Sequence, residues 1–190
     1  MSENKVLIAY GTRYGSTEEI SQNIAKILEE KGIGSDIINL KKIKQKQWPL
    51  LEDYKGVLVG SSIKIFRWMK EPTKFLKKNK DKFKELNIPL GLFISCGTAI
   101  TDPEKAKKDY LEKKMEDIGV KTDLYDTFGA IYDFSETSRF GRFAKSILLD
   151  SAEELKEKRG IILKDGEKYV LIDKDRLNAF VEQFIKRLNL

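Results

Sequence analysis

The chain has 190 residues, of which 41% are hydrophobic and 35% charged, and its net charge is +6. This length and balance predict one globular domain over residues 1–190 and exclude both a disordered and a membrane-spanning chain. We expect a cytoplasmic protein, because no apolar run approaches the roughly 20 residues that cross a bilayer and the first residues lack the apolar centre of a signal peptide.

The scarcity of cysteine and the absence of histidine exclude several kinds of site. Cys96 is the only cysteine, so neither an internal disulfide nor a Cys-rich metal centre is possible. Histidine is absent, which removes the usual general base, the Ser-His and Cys-His nucleophile pairs and the commonest transition-metal ligand. We therefore predict no metal site and no catalytic side chain, and we expect a cofactor to carry any chemistry. The lysine runs at 41–46 and 74–84 are typical of solvated faces and accompany no nucleic-acid-reading motif, so no specific nucleic-acid partner is expected.

The first half of the chain alternates apolar, β-prone runs with runs of helical spacing. Strands are predicted at 5–10, 35–40 and 56–60, and helices at 17–31 and from Pro72 to about 83.

The second half continues the alternation with strands at 89–96 and 122–132 and a helix that Asp102 caps and that runs to about 117. Such alternation predicts an α/β fold, in which helices cover both faces of a parallel sheet. Residues 133–173 form an insertion before the last helix and contain a hairpin-like segment at 161–172. The apolar face of the last helix consists of Leu177, Phe180, Val181, Phe184, Ile185 and Leu188.

The turn between the first strand and the first helix, GTRYGST at residues 11–17, is crowded with glycines and hydroxyl residues. Ligands of such sheets bind beyond the carboxyl ends of the strands, and a helix amino terminus attracts anions, so this turn is predicted to hold a phosphate. A nucleotide P-loop requires a lysine that this turn lacks, and the dinucleotide pattern GxGxxG is absent. The acidic cluster of response regulators is also missing from the strand ends. The alternative is a plain helix start capped by Ser16 or Thr17.

Residues 8–24 resemble the flavodoxin phosphate loop, in which an apolar strand ending in Tyr or Phe precedes T-x-x-G-x-T and a helix. Tyr10, Thr12, Gly15 and Thr17 match this pattern, whereas Ala9 and Ser21 replace a larger apolar residue and an alanine. The resemblance implies a flavodoxin-like three-layer sandwich, with a five-stranded parallel sheet of order 2-1-3-4-5, and FMN as the cofactor. It also implies that the FMN phosphate is held by Thr12, Arg13, Tyr14, Gly15, Ser16 and Thr17.

By the same resemblance, the loops after the third and fourth strands wall the flavin ring. Phe66 and Trp68 are predicted to stack on the ring, although helix-sheet packing is an alternative role for Trp68. Lys64 and Arg67 would favour anionic reduced flavin and raise its potential. The second loop lacks the expected tyrosine, which indicates an open ring face, and its Cys96 is expected to be buried and inert. The predicted ring-binding residues are Ser61, Ser62, Ile63, Lys64, Phe66, Arg67, Trp68, Ser95, Cys96, Gly97, Thr98 and Ala99.

Further segments resemble the quinone-dependent, flavodoxin-like protoporphyrinogen oxidases. They are GSSIKIF at 60–66, PEK at 103–105, FGAIYDF at 128–134 and SRFGRFAKSILL at 138–149. This resemblance implies an FMN oxidoreductase that takes electrons from a tetrapyrrole precursor and passes them to a quinone at the membrane. Residues 151–173 are longer and more charged than that pattern. A one-electron shuttle between redox proteins and a non-redox binding module are the alternatives, but shuttle flavodoxins are typically acidic where they dock, whereas this chain is basic.

The insertion includes a short amphipathic stretch at about 138–149 that is basic on its polar side. Such a helix is suited to peripheral contact with the inner face of an anionic membrane, and the alternative is that it folds back and caps the sheet. Its apolar face is formed by Phe140, Phe143, Ala144, Ile147 and Leu148, while Arg139, Arg142 and Lys145 lie off that face.

Overall fold

The computed structural model describes residues 5–122 and 124–188. Its main sheet is built from the strands β1 (Lys5–Gly11), β2 (Gly34–Asn39), β3 (Gly56–Lys64), β4 (Arg67–Trp68), β5 (Leu90–Ser95) and β6 (Leu124–Thr127). Five of these, in the described residues, run parallel in the spatial order β2-β1-β3-β5-β6. The two-residue strand β4 pairs antiparallel with β3. Leaving β4 aside, this is the predicted order 2-1-3-4-5, so the predicted fold class is confirmed.

The helices alternate with these strands along the chain. They are α1 (Ser16–Glu30), α2 (Lys70–Glu85), α3 (Thr98–Thr101), α4 (Pro103–Ala106), α5 (Lys113–Ile118), α6 (Arg142–Asp150), α7 (Ala152–Arg159) and α8 (Lys174–Ile185). Short 3-10 helices occupy Gln45–Gln47 and Leu51–Asp53, and a π-helical turn at Lys107–Glu112 joins α4 to α5. The helix predicted from Asp102 to about 117 is therefore interrupted, although Asp102 does cap its start by accepting from the amide of Lys105.

Apolar residues that alternate along the strands pack against helices on both faces of the sheet. Val6 and Ile8 of β1 pack with α1 and α8, whereas Leu7 and Ala9 of the same strand pack with α2 and α5. Because both faces are covered, the central strands are buried along almost their whole length. The edge at which these strands end is the place where side chains from several loops meet.

Two element boundaries differ from the sequence prediction. Strand β3 continues past Gly60 to Lys64 and turns back through β4, so the loop predicted at 61–70 is largely a hairpin. Helix α2 begins at Lys70 and includes Pro72 in its first turn. A proline is tolerated there because the amides of a first turn have no partner within the helix.

The predicted fifth strand divides at Gly129, whose φ of 88° requires the left-handed region. Strand β6 ends at Thr127, and β7 (Gly129–Asp133) leaves the main sheet to pair antiparallel with β8 (Lys168–Ile172). The hairpin predicted at 161–172 is wrong, because β8 takes β7 as its partner and residues 161–164 form no strand. Helices α6 and α7 lie between β7 and β8 in the chain.

Candidate functional site

A cavity of about 170 Å³ opens where β1, β3 and β5 end. Two further elements complete its wall, β7 and the helix α6 of the insertion. Its position agrees with the general rule that ligands of open α/β sheets bind beyond the carboxyl ends of the strands. The lining residues are Thr12, Arg13, Tyr14, Ser16, Ser62, Ile63, Lys64, Ile65, Ser95, Cys96, Gly97, Ala130, Ile131, Tyr132, Phe140, Ala144 and Leu148.

The turn that was predicted to hold a phosphate forms one wall of this cavity. Gly15 is the N-cap of α1, has a φ of 106°, and donates its amide to Thr12 Oγ1 at 3.0 Å. No side chain caps the helix, so the alternative of a cap at Ser16 or Thr17 is wrong. The first amide bonded within the helix is that of Glu19, which donates to Gly15 O at 3.0 Å. The preceding amides of the first turn thus have no helical acceptor.

Two hydroxyls close to this turn are buried without a hydrogen-bond partner among the described residues. They are Thr17 Oγ1 and Ser62 Oγ. Neighbouring hydroxyls are satisfied: Ser21 donates to Thr17 O at 2.8 Å and Ser95 donates to Gly129 O at 3.0 Å. A buried polar group without a partner costs about 1 to 3 kcal/mol. Both hydroxyls are therefore suited to donate to acceptor oxygens of a ligand.

A charged network borders the turn at Glu18. Tyr10 donates to Glu18 Oε1 at 3.0 Å, and Lys42 Nζ and Arg139 Nη1 approach the same carboxylate at 3.6 Å and 3.4 Å. Burial disfavours the charged form of Glu18, but the hydrogen bond from Tyr10 and the two cations outweigh it and lower its pKa. Burial and the neighbouring carboxylate raise the pKa of Tyr10 to about 12. Glu18 is thus held ionised within the first turn of α1.

The structure brings about half of the predicted site residues into the cavity wall. Thr12, Arg13, Tyr14, Ser16, Ser62, Ile63, Lys64, Ser95, Cys96 and Gly97 line it. The others lie outside the wall: Gly15 and Thr17 belong to the turn itself, Ser61 is buried behind it, and Thr98 and Ala99 open α3. The predicted ring-stacking residues Phe66 and Trp68, and Arg67 between them, also lie outside the wall.

The β3–β4 hairpin explains the position of these three residues. Phe66 lies at its tip and is 80% exposed, and Arg67 next to it is also exposed. Trp68 is buried and donates its Nε1 to Tyr110 O at 2.6 Å, which is the packing role that was its alternative. In this structure Lys64 is thus the only member of the predicted cation pair that borders the cavity.

The second loop is small, as the sequence indicates, and it is backed by a residue that the sequence prediction did not include. A Cβ placed on Gly97 would overlap the hydroxyl of Tyr132 from β7. Burial raises the pKa of the Tyr132 phenol, and burial raises the pKa of the Cys96 thiol to about 11. Cys96 is thus buried, as predicted, and its raised pKa favours the protonated thiol.

The insertion also contributes to the wall, in agreement with the alternative that residues 138–149 fold back and cap the sheet, although they were not predicted as site residues. Phe140 stacks on Tyr14 of the turn at residues 11–17, with ring centroids 4.2 Å apart. Ala144 and Leu148 line the cavity beside it, so the insertion folds back over the sheet edge. The predicted apolar face also includes Phe143 and Ile147, whose side chains, like that of Arg142, lie outside the described part of the structure. The helical spacing of Phe140, Ala144 and Leu148, four residues apart, was the sequence feature that could have indicated this contribution.

The chemistry of the wall limits what the site can do. No carboxylate lines the cavity in the described residues, and the chain contains no histidine. Its cations are Arg13 and Lys64, and most of the remaining wall is apolar or carries hydroxyls. The site is therefore built to bind a ligand that is partly apolar and partly anionic, and it offers no side chain suited to general acid-base work near neutral pH. The described residues contain no group of acidic, cysteine or histidine side chains that could hold a metal ion.

Comparison with known proteins agrees with this geometry. A model of the Flavodoxin domain family matches residues 7–158, well over half of the chain. The chain belongs to the Flavodoxin domain family. Over 101 residues it is 35% identical to the protoporphyrinogen IX dehydrogenase (quinone) of Escherichia coli. This match covers 53% of the chain and 52% of the relative, so the chain spans about half the length of the curated relatives it matches.

Solved flavodoxins share the fold. The oxidised flavodoxin of Bacillus cereus superposes with a TM-score of 0.54 at 16% identity, covering 98% of this chain and all of that one. A Fusobacterium nucleatum flavodoxin bound to flavin mononucleotide gives a TM-score of 0.51 at 12% identity, covering 97% of this chain and 99% of that one. The resemblance and the fold predicted from the sequence are confirmed. Among the described residues, no helix is long and apolar enough to span a membrane.

Proposed function

We propose that this flavodoxin-family chain is an FMN-dependent oxidoreductase whose cofactor phosphate is held by residues 12–17. The observation that carries the proposal is the buried hydroxyl of Thr17, which has no partner among the described residues and lies in the first turn of α1. A phosphate dianion accepts hydrogen bonds from several donors at once, and helix amino termini are favourable places for it. The unpaired amides of this turn and the hydroxyl of Thr17 supply that donor set.

The remaining wall fits the rest of the cofactor. Ser62, Ser95, Cys96 and Gly97 border the space on the side of β3 and β5, and Lys64 places a positive charge at its rim. FMN, when bound, supplies hydride and single-electron transfer. The side chains bind and orient it and exclude water, while Lys64 favours negative charge on whatever lies beside it.

For the substrate, we assign the oxidation of protoporphyrinogen IX with a quinone as acceptor. The name of the Escherichia coli relative motivates this choice, and two features of the site support it. The wall is largely apolar, which suits a poorly soluble tetrapyrrole substrate, and no acid-base side chain is provided beyond the cofactor. The net charge of +6 also favours this enzyme over a shuttle that docks through an acidic face.

Peripheral contact with an anionic membrane through about 138–149 is part of the proposal. Phe140, Ala144 and Leu148 face the cavity, which leaves Leu149, 49% exposed, as the described apolar residue of this helix available to a bilayer. The basic residues of this stretch would add attraction to the anionic lipids.

The test begins with calorimetric titration of the folded apoprotein with FMN, followed by two turnover assays of the loaded protein. One assay supplies protoporphyrinogen IX and a soluble quinone, and the other supplies a small redox protein as electron acceptor. We expect FMN to bind and the first assay to show turnover. Turnover in the second assay alone would replace the enzyme with a one-electron shuttle. No heat on adding FMN would overturn the cofactor assignment and leave a non-redox binding module.

A further inference from the structure

Arg139 connects the insertion to the turn at the start of α1. Its Nη1 lies 3.4 Å from Glu18 Oε2. The same atom lies 3.7 Å from where a Cβ on Gly15 would be, and apart from the chain neighbours of Gly15 no other described atom comes within 4 Å of that point. Arg139 therefore stands beside the N-cap of α1 as well as beside the carboxylate of Glu18.

The residues around Arg139 hold it in this place. Phe140, the next residue, stacks on Tyr14 with ring centroids 4.2 Å apart. A few residues further along, Lys145 Nζ donates to the carbonyl oxygens of Phe134 and Ser135 at 2.9 Å and 3.1 Å. These contacts fix residues 134–135 and Phe140, which lie on either side of Arg139 in the chain.

Glu18 creates an electrostatic problem for an anionic ligand at this turn. It is the third residue of α1, and it stays ionised because the hydrogen bond from Tyr10 and two cations outweigh its burial. A phosphate dianion bound at the amides of the same turn would be repelled by this carboxylate unless a cation lay between them. Arg139 is 67% exposed, lies 3.4 Å from the carboxylate and stands beside Gly15, so it is placed to do this.

We propose that Arg139 is the counter-ion of the ligand's phosphate, which it engages by turning from Glu18 toward the N-cap of α1, and that it thereby sets the preference for a phosphorylated over an unphosphorylated flavin. This inference rests on the proposed function, because it assumes a flavin phosphate at residues 12–17. It adds that the insertion takes part in cofactor recognition. Arginine suits the role, since its planar guanidinium can donate two parallel hydrogen bonds to phosphate oxygens.

Lys42 provides a matched control within the same network. Its Nζ lies 3.6 Å from Glu18 Oε1 and its side chain is 70% exposed, much like Arg139. However, it comes from the segment after β2 and is not among the atoms near the N-cap of α1. Replacing Lys42 therefore removes one positive charge beside Glu18 and leaves in place the cation that stands beside Gly15.

The experiment measures the dissociation constants of FMN and riboflavin by quenching of flavin fluorescence in the wild type, Arg139→Gln, Arg139→Lys and Lys42→Gln. A hydrogen bond to a charged group is worth about 10-fold or more in affinity. We expect Arg139→Gln to weaken FMN binding about 10-fold and to leave riboflavin binding within about twofold, and Lys42→Gln to leave the ratio of the two affinities unchanged. Arg139→Lys keeps the charge and should recover most of the loss. FMN binding should also become less dependent on salt in Arg139→Gln, because one screened charge contact is gone.

The outcomes separate this inference from the proposed function. If Arg139→Gln weakens both flavins equally, Arg139 only fixes the insertion and the inference is overturned while FMN binding stands. If Lys42→Gln lowers the FMN preference as much as Arg139→Gln does, the effect is one of general charge, and the inference is again overturned. If the wild type binds neither flavin, the proposed function fails and takes this inference with it.

Discussion

At the scale of single residues, the proposed phosphate site depends most on the hydroxyl of Thr17. It is fully buried and has no partner among the described residues, yet it remains a threonine where a valine would fill the same space. Ser21, one turn later and equally buried, donates to the carbonyl of Thr17 at 2.8 Å. The protein supplies a hydrogen-bond acceptor for the hydroxyl of Ser21, but the described residues supply no partner for the hydroxyl of Thr17.

This difference leads to a prediction for two variants. Thr17→Val should leave the free energy of unfolding of the apoprotein unchanged or raise it by up to about 1 kcal/mol, because an unsatisfied hydroxyl is removed. It should weaken FMN binding about 10-fold, since one donor to a charged phosphate is lost. Urea denaturation and calorimetry measure the two quantities.

Ser21→Ala is the matched control, because its hydroxyl is committed to the helix backbone, and FMN affinity should stay within about twofold of the wild type. Equal FMN affinity in Thr17→Val and the wild type would contradict the role given to Thr17. A large loss of stability in the apoprotein of Thr17→Val would show instead that the hydroxyl supports the fold.

At the scale of elements, the sequence predicted the strands and helices whose apolar spacing lies within one segment. It missed the boundaries that depend on pairing with a distant segment. The strand β1 and the helix α1 were predicted within a residue or two, because alternating and helical apolar spacing is written in those segments alone. The break at Gly129 was missed, since the apolar residues on both sides of it read as one strand. Its cause is the pairing of β7 with β8, whose residues lie about 40 positions further along the chain.

The candidate site shows the same division. The turn at residues 11–17 was predicted as part of the site from its local pattern of glycines and hydroxyl residues, and four of its residues line the cavity. The contribution of Tyr132 depends on where β7 leaves the main sheet, which no local pattern states, whereas the apolar spacing of 138–149 predicted fold-back of the insertion as one of two alternatives. Phe66 was predicted to stack on the flavin ring for its type and loop, but a two-residue turn places it at the tip of the β3–β4 hairpin.

That hairpin turn has an unusual composition. Ile65 and Phe66 have φ values of 45° and 61°, a region that costs about 1 to 2 kcal/mol for an ordinary L-residue. Both side chains are exposed, so they gain little from packing in return. Asn87, the other non-glycine residue with positive φ among those described, belongs to a type that tolerates this region.

We predict that replacing Ile65 and Phe66 by Asn and Gly raises the free energy of unfolding by about 1 kcal/mol, since Asn-Gly is the sequence that such turns favour. Urea denaturation of the apoprotein measures this. Leu50→Gln serves as control, because Leu50 is similarly exposed but has an ordinary φ of −80°, and its replacement should change stability by less than about 0.5 kcal/mol. A double variant no more stable than the wild type would show that the turn is not strained.

At the scale of the whole molecule, the apolar core is unevenly distributed. Two large clusters lie on the faces of the main sheet, and a third, smaller cluster joins β7, α3 and α7 through Ile100, Ala130, Tyr132, Phe134 and Leu155. Helix α6 contributes Leu148 to the edge of this third cluster, whereas α7 buries Leu155 within it. Among the described side chains, α6 has none as deeply buried as Leu155 of α7, and elements with few buried apolar contacts open most easily, so we expect α6 to be less stable than α7.

This distribution leads to a prediction for hydrogen exchange. In the apoprotein, amides of α6 should exchange faster than those of α7 and far faster than those of β1, β3 and β5. Adding FMN should slow exchange in residues 12–17 and also in α6, although more than 120 positions separate them, because Tyr14, Phe140 and Leu148 line the same cavity. Exchange in α7 should stay the same, since Leu155 is already buried in the apoprotein. If FMN slows exchange in residues 12–17 but not in α6, the insertion does not close over the cofactor. Phe140 and Leu148 would then line the cavity only when FMN is absent.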